Sequence, residues 1–100
     1  MEEKKLDLFG TSYSIRKVQS IEDENGSPLY GITNFIEHTI DIATKINGRK
    51  VSKEEQKITL LHELFHAFLK EGQYLDCSSD EPLVEWLARC TNKAIEQKIL

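Results

Sequence analysis

Two cysteines in 100 residues are too few for a disulfide framework. Cys77 and Cys90 read as free thiols, as expected of a cytoplasmic chain. No apolar run approaches the roughly 18 residues that a membrane-spanning helix needs. Neither charge sign dominates: 13 Lys+Arg stand against 17 Asp+Glu, for a net charge of -4. The basic surface that nucleic acid or an anionic membrane selects is therefore missing, and neither is an expected partner. Met1–Lys5 carries charges of both signs with no apolar stretch behind it, unlike a secretory signal. At 100 residues the chain has the length of one domain, 1–100, and can bury about 60–70% of the surface its unfolded form exposes.

The first half reads as strands over about 6–46. Leu6–Phe9 precedes a break at Gly10, and Tyr13, Ile15 and Lys17 alternate with Ser14, Arg16 and Val18. The turn cluster from Glu22 to Pro28, centred on Asn25-Gly26, predicts a hairpin whose second strand runs from about Leu29 to Ile36. The stretch 36–42 alternates strictly, placing Ile36, His38, Ile40 and Ile42 on one face of a half-buried strand that ends by Asn47-Gly48.

The second half reads as two helices. Ser52 and Glu55 form a capping box, and Ile58, Leu61, Phe65, Phe68 and Leu69 follow at helical spacing. This predicts a helix over about 53–71 that stops at Gly72. A second helix, over about 81–99, opens with Pro82 in its first turn and carries Val84, Leu87, Ala88, Thr91 and Ile95 as its apolar stripe.

The first helix contains His62-Glu63-Leu64-Phe65-His66, an H-E-x-x-H string. Shuffled chains of this composition contain such a string on the order of 1% of the time. Residues at i and i+4 share a helix face, so the two imidazoles can hold one zinc ion, and the Glu between them can reach a water that the metal activates. On a helical wheel both histidines fall at the polar edge of the apolar arc, where a cleft beside a core lies.

A catalytic zinc site needs a third protein ligand and an open position. A third histidine at position 72 is excluded, because Gly72 stands there. Asp76, Asp80, Glu81 and Glu85 remain as carboxylate candidates. Glu85 is favoured because it sits on the second helix just off its apolar arc; Glu81, one turn earlier on the same side, is its main rival. Tyr74 and His38 are the candidate donors to a transition-state oxyanion. A closed Cys₂His₂ site of His62, His66, Cys77 and Cys90 is the structural alternative, although the cysteines lack the paired C-x₂-C spacing.

Thr59–Ala67, followed by Glu85-Trp86-Leu87-Ala88, resembles the gluzincin branch of zinc peptidases. More narrowly, it is similar to short phage and mobile-element proteins related to repressor-cleaving metallopeptidases. The likeness covers roughly Lys57 to Ala94. It implies an α+β minimal zincin fold: a small N-terminal twisted sheet packed on an active-site helix and a C-terminal glutamate helix. It further implies one zinc ion per chain on His62, His66 and Glu85, with Glu63 as general base and a peptide or regulator protein as substrate. Larger members often carry Asn or Asp four residues after the ligand Glu; here that position is Arg89. The non-enzymatic alternative is a zinc-stabilised interaction module that binds a regulator without cutting it.

Overall fold

A computed structural model describes residues 3–100; Met1 and Glu2, the start of the charged N-terminus, lie outside the described residues. The chain is α+β. Strands β1 (Glu3–Leu8), β2 (Thr11–Val18), β3 (Gly31–Asn34) and β4 (Thr39–Ala43) precede a short hairpin of β5 (Lys45–Ile46) and β6 (Arg49–Lys50). Helices α1 (Lys53–Glu71), α2 (Leu75–Ser78) and α3 (Glu81–Glu96) follow. Among the described residues, no helix is long and apolar enough to cross a membrane.

The four-stranded sheet has the order β1-β2-β4-β3. β2 pairs antiparallel with β1 but parallel with β4, and β3 closes antiparallel on β4 as an edge strand. The hairpin expected between Tyr13–Val18 and Leu29–Ile36 does not form. The Glu22–Pro28 turn is real, held by Asp23 accepting from the Asn25 and Ser27 amides. It lies, however, inside a crossover that carries the chain past β4 to the far edge. Asn25-Gly26 marks a turn; it does not specify which strands pair afterwards.

A second difference concerns residues 36–38. The alternation there predicts a strand, yet β4 starts only at Thr39 and residues 35–38 form a turn. Asn34 Oδ1 accepts from the amides of Ile36 and Glu37 at 2.9 Å each, which offers the backbone an alternative to the ladder. His38 adopts a left-handed φ of 56° and sets its ring 5.1 Å from that of Tyr13. At the other end, Asn47 and Gly48 both take positive φ, as a two-residue hairpin of this twist requires, and so open β5–β6 instead of merely ending a strand.

The helices begin as their caps dictate. The Ser52 hydroxyl accepts from the Glu55 amide at 3.1 Å, and the Asp80 carboxylate accepts from the Leu83 amide at 3.1 Å. α1 ends at Glu71, but the left-handed residue is Gln73, not Gly72. Gly72 serves another purpose: a Cβ there would sit 3.1 Å from the Tyr74 ring. α3 ends at Glu96, short of the expected 99; Lys98 takes a left-handed φ of 60°, and Ile99 is exposed.

The core lies between α1 and the sheet. Tyr13, Ile40, Ile42 and Ala67 are buried, with Leu8, Ile15, Leu60 and Leu64 packed around them. Val84 and Ala88 bury α3, and α3 packs on α1. Tyr13 also ties β2 to the end of α1, since its hydroxyl donates to Glu71 Oε2 at 2.8 Å. Burial, then the Glu71 carboxylate, raises the Tyr13 pKa well above its ordinary value. A raised folded-state pKa contributes stability below the unfolded value, about pH 10, and that contribution is lost as the pH climbs further. Tyr13→Phe should therefore cost about 1 kcal/mol at pH 7 and lose less stability than wild type above about pH 10. Urea unfolding at pH 7 and at pH 10.5 checks both statements, and a steeper alkaline loss in Tyr13→Phe would refute them.

Candidate metal centre

α1 packs against the sheet, α2 and α3. Thr59, Glu63 and Ala67 face the sheet, where Glu63 is buried at 8% exposure. His62 and His66, on the adjoining face, look toward α2 and α3. The cleft between α1, β3 and the start of α3 measures about 1040 Å³ and contains His62, Glu63, His66, Glu81 and Glu85. Its other wall is mostly apolar, from Tyr30, Ile32, Phe35 and Leu75.

Each imidazole is fixed through Nδ1. His66 Nδ1 faces the backbone carbonyl of Ser78, which can only accept, so Nδ1 must carry the proton. Ser78 Oγ donates back to His66 O at 2.9 Å, locking α2 onto α1. His62 Nδ1 faces Glu85 Oε1 at 2.8 Å, and Arg89 Nε donates to the other Glu85 oxygen at 2.6 Å. Burial works to raise the Glu85 pKa, but the bonds from His62 and Arg89 outweigh it and hold Glu85 below the usual carboxylate range.

With Nδ1 protonated, a neutral ring offers a lone pair at Nε2. The two Nε2 atoms stand 3.2 Å apart. The Glu81 carboxylate caps both, with Oε2 2.9 Å from His62 Nε2 and Oε1 3.1 Å from His66 Nε2. With both rings neutral, three electron-pair donors converge there, an arrangement that a cation lying between them satisfies. Ligands about 2.0–2.1 Å from a tetrahedral zinc ion stand roughly 3.3 Å from one another, close to these separations. His62, His66 and Glu81 together form a group that could hold a metal ion.

The expected residues are thus partly brought together. His62, Glu63 and His66 share the cleft with both candidate glutamates. Glu85, expected on the metal, instead meets the far nitrogen of His62, while Glu81 faces Nε2 of both histidines. Asp76 and Asp80 do not join the group; Asp80 is spent on its helix cap. Neither Tyr74 nor His38 lines the cleft: Tyr74 is 63% exposed, and His38 is turned against Tyr13. Cys77 and Cys90 are free thiols outside the group that could hold a metal ion, and Trp86 is exposed.

Glu63 lies on the sheet side of the pair. The Thr33 hydroxyl donates to Glu63 Oε1 at 2.7 Å. Burial pushes the Glu63 carboxylate above its ordinary pKa, against the pull of the Thr33 bond and the two histidines. Sequence reasoning passed over Thr33 and Ser78, which carry no motif. The available signal for Glu81 was that Glu81 and Glu85 repeat the i, i+4 spacing of His62 and His66.

No protein-family model matches the chain, and comparison with curated proteins and with solved structures yields no match either.

Proposed function

We propose that the chain is a zinc-dependent peptidase of the gluzincin type whose ligands are His62, His66 and Glu81. The observation that carries this reading is the convergence of both Nε2 atoms and the Glu81 carboxylate on one point. Zinc bound there supplies Lewis-acid activation of a water and of the scissile carbonyl. Glu63 takes the proton of the attacking water and passes it to the leaving amine. Glu85 and Ser78 hold the imidazoles in the tautomer that ligation requires. Counted from Glu81, the position four residues on is Glu85, a carboxylate where larger gluzincins often carry Asn or Asp.

The substrate is an extended peptide. Tyr30 O accepts from Ala43 N at 2.8 Å, which turns Tyr30 toward β4. By alternation, the amides and carbonyls of Gly31 and Thr33 face the free edge beside the cleft. A peptide can add there as a further strand, with bulky apolar side chains against Tyr30, Ile32, Phe35 and Leu75.

One observation favours the second reading, a zinc-stabilised interaction module: neither expected oxyanion donor reaches the cleft. A peptide library incubated with the zinc-loaded protein distinguishes the two readings. The peptidase should cleave next to bulky apolar residues, and the cleavage should stop on chelation. Retention of peptides without any cut would favour the module.

A further inference from the structure

The buried Glu63 carboxylate is held from outside its own helix by one residue of the edge strand, Thr33. The same strand comes unusually close to α1 at Gly31. A Cβ at that position would stand 2.7 Å from Thr59 Cγ2 and 3.1 Å from Glu63 Cγ, so only glycine lets β3 settle this low. Two residues on, Thr33 turns its side chain the same way and reaches Glu63 Oε1 at 2.7 Å. Its backbone meanwhile faces the free edge of the sheet.

We propose that Thr33 is a positioning residue for the general base, fixing one oxygen of Glu63 so that the other stays free for proton transfer. The inference rests on the peptidase reading and extends it to a residue with no motif. A glutamate side chain has three rotatable bonds, and a base displaced by about 1 Å loses much of its effect. The hydroxyl removes that freedom at a carboxylate buried beneath the strand. Because Thr33 belongs to the edge itself, a peptide pairing with β3 is bound by the element that holds the base.

Acetohydroxamate serves as the probe. It chelates zinc through two oxygens and gives up a proton that a carboxylate beside the metal retains, so its affinity reports where Glu63 stands. Its dissociation constant would be measured by calorimetry on the zinc-loaded chain, with zinc content and melting temperature recorded for each variant. Thr33→Val should keep its zinc and bind acetohydroxamate about tenfold more weakly, and Thr33→Ser should restore affinity to within about twofold. If Thr33→Val does not fold, Thr33→Ala carries the same expectation. Wild-type affinity in the folded Thr33 variant, alongside weakened binding by Glu63→Gln, would overturn the inference while leaving the peptidase reading intact. Unchanged affinity in Glu63→Gln as well would overturn both, because Glu63 would then not stand beside the metal.

Discussion

Glu63→Gln should leave zinc content and melting temperature near those of the wild type while lowering peptide hydrolysis by about 10²–10⁴-fold, the usual worth of a general base. The amide keeps the size of the side chain and can still accept from the Thr33 hydroxyl through its carbonyl oxygen. It cannot take up the proton of the attacking water. At 8% exposure, Glu63 sits where a charge is costly, and burial already raises its pKa. Removing that charge therefore does not threaten the fold. Side-by-side turnover assays on one cleaved peptide, with metal analysis of both proteins, decide the point. Equal turnover would mean that Glu63 takes no part in the chemistry, and loss of zinc would make it a structural residue.

The second large effect separates the two glutamates of α3. Glu81→Ala removes the carboxylate that spans both Nε2 atoms, at 2.9 and 3.1 Å. Its zinc affinity should fall by more than a hundredfold, beyond the loss of about 10–100-fold that follows removal of an outer partner of a ligand. Glu85→Ala removes such a partner and should stay within that smaller range. Competition titration against a chromophoric chelator measures both. The reverse order, with Glu85→Ala the more damaging, would return Glu85 to the metal and reduce Glu81 to an exposed neighbour.

Much of the site was legible because helical spacing is local. The H-E-x-x-H string fixes His62, Glu63 and His66 on adjoining faces of α1 whatever the rest of the chain does, and the Ser52 and Asp80 caps set where both long helices begin. What spacing cannot state is the rotation of α3 about its own axis. Glu81 and Glu85 lie one turn apart on the same side, and only the packing of Val84 and Ala88 against α1 decides which of them meets Nε2. Strand pairing was less legible for the same reason. A turn signal such as Asn25-Gly26 is local, but the parallel pairing of β2 with β4 depends on contacts more than twenty residues apart. The stretch around His38 failed differently. Its alternation was genuine, yet Asn34 captured the backbone amides that a longer strand would have used. Thr33 was invisible because a threonine on a strand has no signature until the strand's neighbour is known.

X-ray absorption at the zinc edge of the loaded protein tests most directly for an open zinc site built from two imidazoles and the Glu81 carboxylate. The expected result is one zinc ion per chain with only nitrogen and oxygen neighbours at about 2.0–2.2 Å, two of them imidazole. A sulfur neighbour at about 2.3 Å would place Cys77 or Cys90 on the metal and contradict it, as would a protein that takes up no stoichiometric zinc.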